Sequence, residues 1–265
     1  MKRIIVCIKP VPDPKHWDKV SLDPDTMTLK REGIPSIMNP LDKHALEAAL
    51  SIQEDRGGEG VLISMAPLFA TSILREGLAM GADRAVLLSD QVFAGSDTLA
   101  TACILAAGCQ WIGEYDLILA GNSSIDGSTA QVPSQLGELL GLPSIMHVTD
   151  LKWQEKDKLL ITQKTENGYT RVLASPPLVI SVRKELNKPR YISFTGILEA
   201  ESKGITVLSN QELKIDHNLI GLQGSPTKMA GVEIRQFKRE RERLDGSIEE
   251  IVKKLVDKIY QFGII

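Results

Sequence analysis

The segment from Gly121 to Pro133 holds the residues of this chain that are best suited to bind a ligand. It combines small residues, hydroxyls and the carboxylate of Asp126, and it joins an apolar run ending at Ala120 to a helical pattern. In an open α/β sheet, ligands bind beyond the carboxyl ends of the strands, and the N–H groups at a helix start favour an anion. The position therefore predicts phosphate binding. The alternative is a loop whose serines and threonine only cap the helix.

Three other predicted strands are followed by segments that could also contact a ligand. Residues 7–10 follow the first strand, residues 64–67 follow the second, and the stretch from Phe93 to Thr101 follows the third and opens a helix. Thr98 and Thr101 are three apart, so both hydroxyls share one helix face. Taken alone, this pair fits capping and core packing as well as it fits ligand binding. Converging strand ends indicate a crevice for an extended nucleotide.

Side chains with the spacing of known catalytic or metal sites are missing from the sequence. There is no GxxxxGK[ST] phosphate loop, no HExxH and no GxSxG, and Gly58-Glu59-Gly60 lacks the third glycine of a dinucleotide fingerprint and precedes a strand. The four histidines are scattered. The sequence thus predicts no catalytic residue and no metal ligand.

The elements that must position these segments alternate regularly along the chain. Apolar runs at 4–8, 61–65, 85–88 and 117–120 carry no polar alternation, which is typical of strands covered on both faces. Helices are predicted between them at about 41–55, 69–80, 97–110 and 131–140. Asn39 is the predicted N-cap of the first helix, with Pro40 at its first position, and Gly81 is expected to end the second in a left-handed conformation. The alternation predicts an α/β fold with an open, mostly parallel, doubly wound sheet.

The pattern changes after about residue 150. Lys158–Glu166, Asn167-Gly168 and Tyr169–Ala174 predict a small antiparallel hairpin, and Leu178–Val182 predicts another strand. A weakly patterned segment with scattered glycine and proline follows, and an apolar stripe from Ile248 to Phe262 predicts a terminal helix. We therefore expect a nucleotide-binding domain at 1–184 and, at 185–265, a recognition loop with an extended C-terminal arm.

Composition excludes several classes of protein. The 265 residues include 31 basic and 34 acidic side chains, giving a net charge of −3, which is no surface for nucleic acid. No apolar run approaches the ~20 residues that cross a bilayer, and the amino terminus does not look like a secretory signal. Three cysteines without a CxxC cannot build a disulfide framework. We expect a cytoplasmic protein without a membrane span.

Several short segments, in their shared order, resemble the β subunit of electron-transfer flavoproteins over nearly the whole chain. The segments are Val6–Asp13, Met38–Asp42, Ala79–Ala85, Ser89-Asp90, Gly95–Thr101, Ile125–Val132 and Gly224–Thr227. The resemblance implies a heterodimer with an α subunit that carries one FAD. It also implies that the β subunit holds either AMP or, in the electron-bifurcating branch, a second FAD.

Three of these segments are similar to the bifurcating branch, namely Gly95–Thr101, Asp126–Val132 and Gly224–Thr227. In that branch NADH gives a hydride to the β-site FAD. One electron passes to the α-subunit FAD and on to an acyl-CoA dehydrogenase or another flavin dehydrogenase, and the other goes to ferredoxin or flavodoxin. The same route can run in reverse.

The resemblance also implies which residues hold the cofactor. Thr98 and Thr101 are expected near the isoalloxazine ring. The remaining cofactor-binding residues are expected to be Cys7, Lys9, Asn39, Pro40, Leu41, Asp42, Met65, Ala66, Asn122, Ser123, Ser124, Ile125, Asp126, Gly127, Ser128, Thr129, Ala130, Gln131, Val132 and Pro133.

The chain departs from the bifurcating pattern at two places in the loop. Bifurcating relatives usually have Gly-Arg-Gln-Ala where this chain has Gly121-Asn122-Ser123-Ser124, and an acidic residue where Ser128 stands. Without the arginine, a fixed positive charge near the cofactor is missing, which alters flavin potential or pyrophosphate affinity.

Residues 182–194 are similar to the family's recognition loop, which docks the partner dehydrogenase. Arg190, Tyr191 and Phe194 are the expected docking residues, since aromatic and arginine side chains dominate interface energies. The alternative is that Tyr191 and Phe194 pack the loop onto the domain. The lysine-rich run that often follows is replaced by residues 199–203, and the terminal helix is expected to clasp the α subunit rather than join the core.

Two other functions compete with bifurcation. One is a one-flavin electron carrier that keeps AMP in the crevice. The other is an ATP-binding or ATP-hydrolysing α/β module, which commonly places a Ser-Gly-Gly turn after its first strand. This chain has Ile8-Lys9-Pro10-Val11 there, which argues against the second.

Overall fold

The apolar runs of the sequence form the middle of one large β-sheet. The computed structural model describes residues 1–19, 21–22, 29–30, 33–154, 157–228 and 241–263. Its strands, in chain order, are β1 (Arg3–Cys7), β2 (Pro10–Pro12), β3 (Ser21–Leu22), β4 (Leu29–Lys30), β5 (Ser36–Met38), β6 (Glu59–Met65), β7 (Arg84–Leu88), β8 (Leu117–Gly121), β9 (Ser144–Gln154), β10 (Lys158–Thr165), β11 (Gly168–Ala174), β12 (Leu178–Val182) and β13 (Ile205–Leu208).

The helices alternate with these strands over the first half of the chain. In chain order they are α1 (Pro40–Arg56), α2 (Thr71–Met80), α3 (Thr98–Ile112), α4 (Val132–Leu140), α5 (Phe194–Ser202), α6 (Asn210–Leu213) and α7 (Ile248–Gln261). Met1–Ala230 form one compact unit, and Gly231–Ile265 form a second.

Nine of the described strands form one sheet in the order β11-β10-β9-β12-β8-β1-β6-β7-β13. Every neighbouring pair from β9 to β13 in that order is parallel, and the pairs β9-β10 and β10-β11 are antiparallel. β1 lies near the centre, with Ile4 opposite Gly60 of β6 and Leu117 of β8. The predicted open, mostly parallel, doubly wound fold is confirmed.

Helices cover both faces of this sheet. Ile4 of β1 packs in a core that includes Leu46 of α1 and Leu74 of α2. Its neighbour Ile5 points to the other face, into a core that includes Ile104 of α3 and Leu136 of α4. Because successive strand residues face opposite sides and both sides are dry, the strands read as continuous apolar runs.

The four predicted helices are confirmed with small differences at their ends. α1 begins at Pro40, whose missing N–H costs little at the first helical position. α2 starts at Thr71 instead of residue 69, because Leu68–Ala70 form a 3-10 turn. Gly81 ends α2 with φ +136° and ψ −6°, so the expected left-handed helical conformation is wrong, although the positive φ still disfavours L side chains.

The predicted hairpin is confirmed as β10 and β11, where Thr165 lies opposite Gly168. Gly168 has φ +147°, which few residues other than glycine adopt. β9, which precedes the hairpin and joins it to the parallel strands, has no counterpart in the sequence prediction.

Part of the weakly patterned segment after residue 185 belongs to the sheet. β13 pairs with β7, with Ile205 opposite Ala85, and forms the edge strand. α5 lies on α2, where Arg75 Nη1 donates to the carbonyl of Lys203 at 2.9 Å and Lys203 Nζ donates to the carbonyl of Ala82 at 2.8 Å. The division of the chain at residues 184 and 185 stays a prediction.

The second unit contains α7. Ser247 and Glu250 form a capping box at its start, in which Glu250 Oε2 accepts the Ser247 N–H at 2.9 Å. The apolar side chains of Ile248, Val252 and Leu255 are exposed. Among the described residues, no helix is long and apolar enough to cross a membrane.

Candidate functional site

Three adjacent parallel strands bring the predicted site residues to one edge of the sheet. β1 lies between β8 and β6 and ends at Cys7, while β8 ends at Gly121 and β6 at Met65. The segments that leave these strands, beginning at Ile8, Ala66 and Asn122, are the ones selected from the sequence. The structure therefore places them side by side at the carboxyl edge, where open α/β sheets bind ligands.

The Asp42 carboxylate, in the first turn of α1, joins two of these strand ends. Asp42 Oδ2 accepts the Lys9 N–H at 2.8 Å, and Oδ1 accepts the Gly121 N–H at 3.2 Å and Asn39 Nδ2 at 2.9 Å. The carboxylate is buried, and burial raises the pKa of Asp42 to about 7 although these three donors oppose the rise. Asp42 thus fixes the start of α1 against β1 and β8.

Asn39 is the N-cap residue of α1, as predicted, but its side chain makes no capping bond. Asn39 Nδ2 donates to the carbonyl of Ser123 at 3.0 Å, and Oδ1 accepts the Ile125 N–H at 3.3 Å. Its amide therefore holds the loop after β8, a role that sequence periodicity could not distinguish from capping.

At Gly121 the end of β8 lies close to the start of α1. A Cβ atom there would lie 2.4 Å from Asp42 Oδ1 and 2.8 Å from the Leu41 backbone carbon. Both distances are below those of real Cβ contacts, so this position requires glycine. From the sequence alone, Gly121 is recognisable only as the start of the loop.

Lys9 and Asp126 form an ion pair across the crevice, with Nζ to Oδ1 at 2.7 Å, and Lys9 Nζ also donates to Ser124 Oγ at 3.1 Å. The Asp126 side chain is 5% exposed and the Lys9 side chain 45%. Burial opposes the ionisation of Asp126, but the Lys9 ammonium and the Gly127 N–H outweigh it, so the pKa of Asp126 lies below its usual value. Lys9 therefore presents a half-exposed positive charge at the loop.

The backbone after Asp126 alternates in hand. Ser128 and Ala130 have φ +52° and +55°, a left-handed conformation that residues other than glycine seldom adopt. Ser128 is fixed there by the bond from its N–H to the Ser124 carbonyl, at 2.9 Å. Alternating backbone of this kind can direct N–H groups toward an anion, although those of Gly127 and Ser128 are bonded to Asp126 and to the Ser124 carbonyl within the loop.

The serines and threonine of the loop do not cap α4. The residue at the N-cap position is Gln131, which makes no capping bond with its side chain. The side chain of Gln131 instead accepts Thr98 Oγ1 at 3.0 Å through Oε1. The alternative of a purely capping loop therefore finds no support in the described contacts, and the N-cap residue of α4 makes no side-chain cap.

α3 begins after its N-cap residue, Asp97, and lies beside the loop. Asp97 Oδ1 accepts the N–H groups of Leu99 and Ala100, both at 3.0 Å. Thr98 and Thr101 follow on one face of its first turn, and Thr98 is the residue that bonds to Gln131. This contact links the two threonines to the predicted phosphate loop.

The Gly224–Thr227 segment lies on the start of α3. Ser225 Oγ is buried, accepts the Asp97 N–H at 2.8 Å and donates to the Gly221 carbonyl at 2.6 Å. Thr227 donates its N–H to Asp97 Oδ2 at 2.9 Å. Ser225 therefore positions Asp97, and the sequence indicated this segment only through the family resemblance.

Cys7 and Met65 pack against the core on the α3 and α4 side of the sheet. Burial raises the pKa of the Cys7 thiol well above its usual value. Cys7 is thus a neutral thiol rather than a nucleophilic thiolate.

Some polar atoms of this region are buried without a hydrogen-bond partner among the described residues, namely Ser64 Oγ, Asn122 Oδ1 and Gln135 Oε1. Asn122 opens the loop and Gln135 lies in the first turn of α4. Buried amide oxygens need donors, and an adenine nucleotide carries such donors in its amino group and ribose hydroxyls. The residues present therefore fit a nucleotide.

The predicted docking residues lie away from the crevice. Tyr191 is 98% exposed and Phe194, the first residue of α5, is 76% exposed, so neither packs the segment onto the domain. Arg190 is paired with Glu47 and Glu54 of α1. Glu47, a buried carboxylate, was missed, although a charged residue within the apolar stretch 45–52 was a signal for it.

The described residues contain no group of three His, Cys, Asp or Glu side chains able to hold a metal. All three cysteines are free thiols. The arrangement brings together a loop with left-handed residues, the Lys9 ammonium group and the Thr98 hydroxyl at one sheet edge, which suits binding more than bond chemistry.

Comparison with known proteins gives one family. The family described as "Electron transfer flavoprotein domain" matches residues 26–213. The chain is 44% identical over 257 residues to the electron transfer flavoprotein subunit beta of Thermoanaerobacterium thermosaccharolyticum, covering 97% of each chain.

Two further relatives are named as parts of reductase complexes. The chain is 42% identical over 265 residues to the caffeyl-CoA reductase-Etf complex subunit CarD of Acetobacterium woodii, covering 99% of this chain and 100% of that one. It is 38% identical over 270 residues to the acryloyl-CoA reductase electron transfer subunit gamma of Anaerotignum propionicum, covering 99% and 100%.

Proposed function

The chain belongs to the electron transfer flavoprotein family, among its β subunits, and we propose that its crevice holds FAD in an electron-bifurcating complex. Bound there, FAD would supply hydride exchange with NADH and single-electron exchange with the α-subunit FAD and with ferredoxin or flavodoxin, in either direction. The chain itself binds and orients the cofactor, sets its surroundings and keeps it from solvent.

The observation that carries this proposal is the charge arrangement at the loop. Lys9 Nζ lies 2.7 Å from Asp126 and 3.1 Å from Ser124 Oγ, beside the left-handed residues Ser128 and Ala130. A pyrophosphate needs N–H donors and a compensating cation, and this edge supplies both.

Lys9 could also take the place of the arginine that bifurcating relatives usually carry in the loop and that this chain lacks. This chain has Asn122-Ser123-Ser124 there, so the loop supplies no cation of its own. Lys9, which follows β1, places its ammonium group against Ser124. We infer that Lys9 provides the positive charge from the neighbouring strand end.

The threonines on α3 support an extended ligand rather than a mononucleotide. Thr98 is tied to the loop through Gln131, with oxygen atoms 3.0 Å apart, and Thr101 lies on the same face. Hydroxyls of this kind would contact the isoalloxazine ring while the loop holds the phosphates. Hydrogen bonds to the ring are a means by which a protein sets flavin potential.

We further propose that residues 185–265 serve assembly, while residues 1–184 bind the nucleotide. Tyr191 and Phe194 would dock an acyl-CoA dehydrogenase or another flavin dehydrogenase. The exposed apolar side chains of α7 would clasp the α subunit, since an amphipathic helix with an uncovered apolar face commonly binds a partner. We place the complex in the cytoplasm.

The cofactor content of the purified heterodimer tests the proposal. Acid release followed by chromatography should give two FAD per heterodimer, and NADH should reduce the β-site flavin. One FAD together with one AMP would instead establish the one-flavin carrier. A colourless preparation that binds or hydrolyses ATP would overturn both in favour of the ATP-binding module.

A further inference from the structure

The segment that precedes α5 is held on α1 by side chains rather than by the sheet. Asn187 Oδ1 lies 2.9 Å from His44 Nδ1, and Asn187 Nδ2 donates to the His44 carbonyl at 2.9 Å. This double contact fixes the segment at its beginning, three residues before Arg190.

Arg190 makes the second and stronger attachment. Its backbone N–H and Nε both donate to Glu47 Oε2 at 2.9 Å, and Nη2 donates to Glu47 Oε1 at 3.0 Å. Nη1 donates to Glu54 Oε1 at 2.5 Å and Nη2 to Glu54 Oε2 at 3.2 Å. The planar guanidinium thus bridges two carboxylates that lie about two turns apart on one helix, a geometry that lysine cannot reproduce.

The burial of these groups shows which way the arginine is directed. The Glu47 side chain is 11% exposed and the Arg190 side chain 31%. The Arg190 guanidinium and backbone N–H outweigh the burial of Glu47, so the pKa of Glu47 lies below its usual value. The N–H groups of Arg190 are therefore bonded within the chain, to Glu47 and Glu54. The side chain of the next residue, Tyr191, is almost fully exposed.

We propose that Arg190 is a positioning residue: clamped between Glu47 and Glu54, it holds Tyr191 and Phe194 out for docking and does not itself contact the partner. This inference rests on the proposed docking function. It replaces the expectation from the sequence that Arg190 is a docking contact.

Preorganisation is the physical reason for such a clamp. Ordering backbone residues on binding costs conformational entropy, and a tenfold change in an equilibrium constant corresponds to about 1.4 kcal/mol. A partner that meets an already ordered segment avoids that loss on binding. Releasing Arg190 should therefore weaken docking about tenfold without changing the electron-transfer step once the complex has formed.

The same helix also relates the docking segment to the crevice. Asp42, which ties α1 to β1 and β8, lies five residues before Glu47, or about 7.5 Å along the helix axis. The clamp thus fixes Tyr191 relative to the strand ends through a single rigid element.

The test uses the heterodimer with its α subunit and carries Arg190→Ala, Arg190→Lys, Glu54→Ala and the control Lys188→Ala. Lys188 is an exposed cation two residues before the clamp. Amide hydrogen exchange is measured for residues 187–198. Electron transfer is measured with a purified acyl-CoA dehydrogenase and its acyl-CoA substrate, giving KM for the heterodimer and kcat separately.

We expect Arg190→Ala to speed exchange and raise KM about tenfold, with kcat unchanged, and Arg190→Lys to restore part of both. Glu54→Ala should weaken the clamp and raise KM in the same direction, although it leaves the arginine charge free. Lys188→Ala should match the wild type. A raised KM in Arg190→Ala with unchanged exchange, or a lowered KM in Glu54→Ala, would show that Arg190 meets the partner directly and would overturn the proposal.

Two more variants separate this inference from the proposed function. If Tyr191→Ala and Phe194→Ala leave KM unchanged, or the wild type transfers no electrons to the dehydrogenase, the docking function fails. If they raise KM while Arg190→Ala does not, the docking function stands and only the role of Arg190 is refuted.

Discussion

Replacing Gly121 by alanine would place a methyl group where the first turn of α1 meets the end of β8. The new Cβ would lie 2.4 Å from Asp42 Oδ1 and 2.8 Å from both the backbone carbon and the Cβ of Leu41. The short Asp42 side chain and the Leu41 backbone cannot rotate away from the methyl group. α1 must therefore move from β8, and the Gly121 N–H loses its bond to Asp42, now 3.2 Å long.

The expected cost follows from these two effects. Forcing one methyl group into a well-packed site costs about 1–3 kcal/mol, and losing one buried hydrogen bond costs about 1 kcal/mol more. We therefore expect Gly121→Ala to lower the free energy of unfolding by about 2–4 kcal/mol. For a domain of this size that corresponds to a fall in Tm of about 5–15 °C.

Thermal unfolding and cofactor content of the purified heterodimer measure the effect. Because the displaced Asp42 also holds the Lys9 backbone, the variant should retain the α-subunit flavin and lose the β-site nucleotide. Gly204→Ala is the matched control, since a Cβ at Gly204 meets nothing within 4 Å and its φ is not in the left-handed region.

Equal Tm values for the two alanine variants, within about 1 °C, would refute the close approach at Gly121. A destabilised Gly121→Ala heterodimer that keeps its full β-site nucleotide would confirm the packing argument but contradict the link between Asp42 and the binding site.

Three other variants test the loop, the buried carboxylate and the terminal helix. Asp126→Ala should strip the β-site nucleotide and leave the α-subunit flavin, because Lys9 loses its orienting partner; unchanged nucleotide content would refute the loop assignment. Because the folded pKa of Asp42 is raised to about 7, the folded chain holds a proton that the unfolded chain has released, so stability should fall as pH rises from about 4 to about 7. Urea unfolding across that range should show a flatter profile for Asp42→Asn, and parallel profiles would contradict the raised pKa. Truncation before Gly246 should weaken the heterodimer, and an unchanged elution volume on gel filtration would argue against the clasping arm.

Local patterns were enough to predict the framework of the fold. The unbroken apolar runs at β1, β6, β7 and β8 identified strands covered on both faces, since alternation disappears when both faces are buried. Pro40 marked the start of α1, because proline fits the first helical position. These signals act within a few residues and so can be read along the chain.

Elements that depend on distant partners were not predicted. β13 is a short edge strand with three partly or fully exposed residues, and only its pairing with β7 defines it. β9 mixes exposed and buried residues because it leaves the parallel layer to pair with β10. Neither strand carries a period that a sequence pattern could show.

The candidate site, too, was predictable from the sequence only in part. The sequence predicted a ligand-binding loop between β8 and α4 because small and hydroxyl residues follow a buried strand, and that role stays a prediction. It could not give the partners of that loop, since the Lys9 ammonium comes from a strand end 117 residues away and the Asn39 amide from the start of α1. Asn39 was accordingly read as a helix cap.

The amino-acid order by itself determined most of the strands and helices and indicated the loop after β8 as the candidate place for a ligand, because these depend on side-chain type and short-range period. Only the tertiary structure decided that Gly121 must be glycine, that Asp42 joins α1 to two strand ends and that Arg190 pairs with Glu47 and Glu54. Each of those depends on distances between residues far apart in the chain, which arise only when the sheet has assembled and the helices have packed on it.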